Sequence, residues 1–96
     1  MDEIDLDWDD LRLFLAIARK GGLAPAAGST GKSAATLGRR MLALERRMGQ
    51  ELFRRLPRGY DLTPEGEALV ARVAELEARI APLAAERPLA TVKVVI

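Results

Sequence analysis

Ninety-six residues allow one small domain, and the chain carries a net charge of +1 with no cysteine and no histidine. Disulfides and thiolate metal sites are thereby excluded, and the usual general base and commonest metal ligand are missing. A hydrophobic share of 49% can fill one compact core, although a domain this small is only marginally stable alone.

The N-terminus MDEIDLDWDD is acidic, unlike a secretory leader, and no apolar run approaches the roughly 20 residues that cross a bilayer. The expectation is a cytoplasmic protein with no membrane partner and no cofactor. Charge is unevenly spread. Asp2, Glu3, Asp5, Asp7, Asp9 and Asp10 put six acids in the first ten residues. Between Lys32 and Arg58, eight bases face two acids, Glu45 and Glu51, a local charge of +6. Such a segment fits an anionic partner and also fits a solvated basic face.

Asp7 to Lys20 reads as a helix, because Leu11, Phe14, Leu15 and Ala18 follow the i, i+3, i+4, i+7 spacing of a core-facing stripe. Asp7 suits the N-cap, Asp9 and Asp10 the positive end of the helix dipole, and Arg19 and Lys20 the other end. These acids are read as cap and dipole partners rather than catalytic carboxylates. Gly21-Gly22 stops the helix, and a short one follows from Leu23 to about Thr30.

At the next junction, residues 26–33 read AAGSTGKS, one residue short of the phosphate-binding loop G-x-x-x-x-G-K-[ST], with Ala26 in place of the first glycine. That loop works between a buried strand and a helix. No β-branched or alternating run precedes it here, so nucleotide binding is kept only as an alternative. The following residues explain the stretch differently. Leu37, Met41, Leu44 and Met48 recur at i, i+4, i+7, i+11, one face of a helix from about Ala34 to Met48. Ser33 is its expected N-cap and Gly49 its left-handed terminus. Ala35, Arg39 and Arg46 fall opposite the apolar face, with Arg40 and Arg47 on the flank. Gly31-Lys32-Ser33 is then the turn of a helix-turn-helix spanning about 22–41.

Leu52-Phe53-Arg54-Arg55 and Gly59-Tyr60-Asp61-Leu62 alternate apolar with polar across Pro57-Arg58-Gly59, which reads as a hairpin wing. Thr63-Pro64-Glu65 opens another helix, expected over 63–85. Within it Leu69, Val73, Leu76, Ile80 and Leu83 are spaced 4, 3, 4, 3, a heptad seam that implies a partner helix. The seam fits a homodimer or higher oligomer; packing on the first helix of the same chain is the alternative. Pro82 is expected to bend or end the helix. Residues 86–96 read as a hinge leading to a strand-like run, Thr91–Ile96, which suggests the start of a further domain.

Together these residues resemble the N-terminal portion of LysR-type bacterial transcriptional regulators. The resemblance rests on Asp9-Asp10-Leu11-Arg12-Leu13-Phe14-Leu15-Ala16-Ile17-Ala18, Gly22-Leu23, Ala26-Ala27, Ser33, Thr36, Arg39-Arg40, Leu44-Glu45, Gly49, Leu52-Phe53, Arg55, Gly59-Tyr60, Leu62-Thr63 and Gly66. It implies a mainly helical winged helix-turn-helix over 6–63, a dimerising linker helix, and a hinge to an effector-binding domain absent from this chain. A small-molecule effector would act only through that domain. The sequence departs from the family's pattern at Ala34, where glutamine is usual, and at Ala35, Gly38, Lys32 and Thr30.

The expected function is sequence-specific binding of an inverted-repeat operator in double-stranded DNA, by a regulator that is not an enzyme. The candidate DNA-binding residues are Lys32, Ser33, Ala34, Ala35, Thr36, Arg39, Arg40, Arg54, Arg55 and Arg58. Arg39 is the candidate for base readout; Lys32, Ser33, Thr36 and Arg40 are candidates for phosphate contact. Arg46 and Arg47 are assigned to a solvated face. Another winged-helix class, similar to a molybdate-responsive repressor or binding protein rather than DNA, is the second alternative.

Overall fold

The described residues form four helices and a hairpin in the order α1 (Trp8–Lys20), α2 (Leu23–Thr30), α3 (Ala34–Met48), β1 (Phe53–Leu56), β2 (Gly59–Leu62) and α4 (Pro64–Ala90). The computed structural model describes residues 6–90, with side chains as far as residue 80. The strand expected at Thr91–Ile96 lies outside the described residues.

Helix ends follow local chemistry. The Asp7 carboxylate accepts the Asp9 amide at 3.0 Å at the start of α1, and the Ser33 hydroxyl accepts the Thr36 amide at 3.1 Å at the start of α3. Each such cap is worth about 1 kcal/mol. Gly21, Gly31 and Gly49 close α1, α2 and α3 in the left-handed region, at φ of +81°, +76° and +68°. AAGSTGKS is therefore the second half of α2, its glycine stop and the cap of α3. Ala26, where a phosphate loop needs its first glycine, is buried in the core, and the element before it is α1. The nucleotide-binding alternative fails on that geometry.

Leu13, Phe14 and Ile17 of α1, Ala26 of α2, Leu37, Met41 and Leu44 of α3, and Leu52 and Phe53 form the core. Each large side chain buried there contributes about 2 kcal/mol of hydrophobic stabilisation. Two strands alone would not hold together in water. The hairpin is held by a row of rings, Phe14 to Phe53 at 5.3 Å and Phe53 to Tyr60 at 5.2 Å. Its register pairs Phe53 with Leu62 and Arg55 with Tyr60, which puts both aromatic residues toward the helices. On its other side, the Tyr60 amide donates to the Gly21 carbonyl at 3.0 Å. A Cβ at Gly59 would lie 2.5 Å from that carbonyl oxygen, so only glycine permits the approach.

The start of α4 is stitched to the segment that leads from α3 into β1. Thr63 Oγ1 accepts the Gly66 amide and donates to the Glu51 carbonyl, while its own amide donates to the Leu52 carbonyl at 3.0 Å. From there α4 packs across α1, where Arg19 grips Glu77 at 2.9 and 3.4 Å. This packing covers part of the apolar seam within one chain. Leu69 packs against the core and Val73 is only 1% exposed within one chain, so both are covered intramolecularly by the fold of the monomer. Leu76 and Ile80 remain 45% and 41% exposed. The Leu83 side chain lies outside the described residues. Pro82 is expected to bend or end the helix and a hinge to begin at Glu86; in the structure α4 runs on to Ala90. Pro82 removes one backbone hydrogen bond, but the alanine, leucine, glutamate and arginine residues around it favour helix and carry it through.

Candidate nucleic-acid interface

Viewed down α3 at 100° per residue, Leu37, Met41 and Leu44 point into the core, and Ala35, Arg39, Leu42 and Arg46 form a stripe on the opposite side. All four are exposed. Arg46, assigned from sequence to a solvated face, lies on the same line as Arg39. The start of this stripe is fixed by the cap: Ser33 Oγ also donates to Thr36 Oγ1 at 3.0 Å, and Arg39 Nη2 approaches the same oxygen at 3.5 Å. Lys32 stands half-buried in the turn just ahead of it. Ala34 is half-buried, which leaves Ala35 as the exposed alanine of the pair. Gly38 belongs to the helix contact rather than the surface, since a Cβ there would lie 3.3 Å from Leu23 Cδ1.

Two residues expected on the DNA surface are engaged elsewhere. Arg40 turns to the N-terminus of α1, where Nε donates to Asp10 Oδ1 at 2.7 Å and Nη1 lies 3.2 Å from Asp9 Oδ2. Asp10 is buried, so the guanidinium neutralises a carboxylate inside the fold. Arg55 on the wing pairs with Glu45, which is buried, in a bidentate contact at 2.8 and 3.2 Å, with its guanidinium carbon 5.1 Å from the Tyr60 ring centroid. Arg40 thus ties α3 to α1, and Arg55 ties the wing to α3.

Glu45 also accepts the Leu52 and Phe53 amides at 2.8 and 3.1 Å. Burial opposes its ionisation, but Arg55 and the two amides outweigh that and hold its carboxyl below the ordinary value. Asp9 is held low chiefly by its hydrogen bond from Arg12, opposed by partial burial and aided by the nearby charges of Arg40 and Lys32. Sequence periodicity missed Asp10 and Glu45 as anchors. The available signal was position, since Glu45 lies four residues after the core residue Met41 and so close to it on the α3 helix wheel.

Lys32, Arg39, Arg46, Arg54 and Arg58 are among the cations with no ion pair to the described residues. Arg54 and Arg58 are exposed on the wing, Arg54 on β1 and Arg58 in the turn. An elbow with a lysine, a helix stripe with two arginines, and a basic wing are thereby presented to solvent on one small scaffold.

Residues 8–67 match the family model of the bacterial regulatory helix-turn-helix proteins of the lysR family. The chain belongs to that family. Among relatives, the HTH-type transcriptional regulator YofA of Bacillus velezensis is 43% identical over 61 residues, which are 64% of this chain and 21% of that protein. The transcriptional activator AmpR of Pseudomonas aeruginosa is 41% identical over 73 residues, 76% of this chain and 25% of that protein. This chain therefore spans about a fifth to two fifths of the curated relatives it matches. The structure of the CbnR DNA-binding domain in complex with DNA superposes with a TM-score of 0.76 at 30% identity, covering 92% of this chain and all of that one.

Proposed function

We propose that this LysR-family chain is the DNA-binding module of a sequence-specific bacterial transcriptional regulator, with α3 as its reading helix in the major groove. The observation that carries this reading is the stripe of Ala35, Arg39, Leu42 and Arg46, capped at its start and turned directly away from the core. A helix fits the major groove, and bidentate arginine to guanine is the commonest specific contact there. Arg39 is assigned that role because no carboxylate holds its guanidinium. Lys32, Ser33 and Thr36 at the elbow, and Arg54 and Arg58 on the wing, fix the register through phosphates. Likeness to a DNA-bound domain of the same family supports the reading.

Two copies joined through α4 would read an inverted repeat, one half-site each. The setting is the bacterial cytoplasm, and any small-molecule effector acts through a domain outside this chain. The module binds and does not catalyse.

The test is the affinity of wild type and Arg39→Ala for a selected operator and for random duplex DNA. Arg39→Ala is expected to lose about 1–3 kcal/mol of discrimination between them. Equal loss on both DNAs would make Arg39 a phosphate contact. Absence of duplex binding by the wild-type chain at low salt would overturn the DNA reading in favour of a protein partner.

A further inference from the structure

The exposed stripe of α3 is unusually poor in groups that discriminate bases by hydrogen bonding. The helix has a single acid and no amide side chain, and that acid, Glu45, is turned inward to Arg55 and the Leu52 and Phe53 amides. The hydroxyl of Thr36 is shared between Ser33 and Arg39. Beside Arg39 and Arg46, the stripe therefore presents Ala35 and Leu42, and Leu42 is 46% exposed. A carboxylate that could accept from cytosine N4, or an amide that could pair with adenine, is lacking on this face. The one base feature in the major groove that an apolar side chain recognises is the 5-methyl group.

We infer that Ala35 and Leu42 read 5-methyl groups on pyrimidines flanking the guanine read by Arg39, and that this readout ignores the polar edge of the methylated base. The inference rests on the DNA-binding reading above. Seven residues separate Ala35 from Leu42, about 10.5 Å along the helix. A helix lying along the groove would thus place its two methyl contacts about three base pairs apart, at about 3.4 Å per base. Thymine and 5-methylcytosine carry the methyl at the same ring carbon, so either base satisfies the contact, whereas plain cytosine or uracil does not.

The experiment uses the 96-residue chain and an operator selected from random duplex DNA. Each thymine is replaced in turn by deoxyuridine, by cytosine paired with guanine, and by 5-methylcytosine paired with guanine. At two positions per half-site, uracil is expected to weaken binding about fourfold, the effect of leaving one apolar carbon unburied. At those positions 5-methylcytosine should restore what cytosine loses. Leu42→Ala and Ala35→Gly should each abolish uracil sensitivity at one of the two positions and leave the other intact. Because Leu42 is exposed, its variant tests the contact with the fold preserved. Tolerance of uracil at every thymine, or 5-methylcytosine binding as poorly as cytosine throughout, would overturn the inference while leaving DNA binding itself in place. Failure to select any sequence would overturn the underlying DNA reading, and this inference with it.

Discussion

Arg40 illustrates how a single cation can be diverted from an apparent surface role. Its guanidinium lies across Asp10 and Asp9 at the N-terminus of α1, and Asp10 is buried. Arg40→Ala strands that carboxylate without its main partner, which costs about 3 kcal/mol when the charge is enclosed. Chemical denaturation should report that loss. The slope of log affinity against log salt should stay unchanged, whereas removal of a true phosphate contact flattens it by about 0.9. Glu45 makes the same argument with a pH signature. Its folded-state pKa lies below the ordinary carboxylate value, so its ionised form stabilises the fold fully above that value, about 4.3. The contribution disappears as pH falls through the depressed folded value. Glu45→Gln should therefore lower the urea midpoint clearly at pH 7, and the gap to wild type should narrow in the acid range below about 4. A gap that stayed constant from pH 7 to pH 3 would mean that the charge of Glu45 contributes nothing.

At the scale of elements, the wing and the start of α4 depend on glycines whose reasons differ. A Cβ at Gly66 would fall 2.1 Å from the Leu52 carbonyl oxygen, backbone that is itself bonded to the Thr63 amide. Gly66→Ala must push the strand and helix apart, an overpacking expected to cost about 3 kcal/mol. Gly28 on α2 meets no atom within 4 Å of its missing Cβ, so Gly28→Ala should instead stabilise the protein by about 0.5–1 kcal/mol. Urea midpoints moving in opposite directions for the two variants would bear this out, and a stable Gly66→Ala protein would contradict the packing. These elements were largely legible beforehand because their signals are local. The four-residue rhythm from Leu37 to Met48, the serine ahead of it and the glycine after it located α3 to the residue. What was not legible is partner choice among the arginines. Asp10 and Arg40 are 30 positions apart, and Glu45 reaches Arg55 only because the strand folds back under α3. Helical spacing ranks faces by polarity, but it does not say which charges meet once the faces pack.

The whole molecule sorts its charges by that packing. Buried acids at the α1 N-terminus and on α3 engage Arg40 and Arg55, leaving Lys32, Arg39, Arg46, Arg54 and Arg58 without an ion pair among the described residues. Its apolar surface is sorted in the same way along α4, which at 27 residues is about 40 Å long. The winged unit covers α4 as far as Val73 and leaves Leu76 and Ile80 bare, one helical turn apart on one face. We propose that a second copy covers them, so the seam that looked continuous in sequence is divided: its first two residues hold the monomer together and the next ones hold the dimer. Two substitutions separate these roles. Val73→Asp buries a charge within one chain and should abolish the cooperative unfolding transition, whatever the protein concentration. A Leu76→Asp, Ile80→Asp double variant changes only exposed positions. Its helix content by circular dichroism should match wild type while sedimentation equilibrium shows a monomer at concentrations where wild type is dimeric. A dimer that survived both aspartates would place the interface elsewhere on the molecule, and the half-sites of the operator would then be spaced by a different contact.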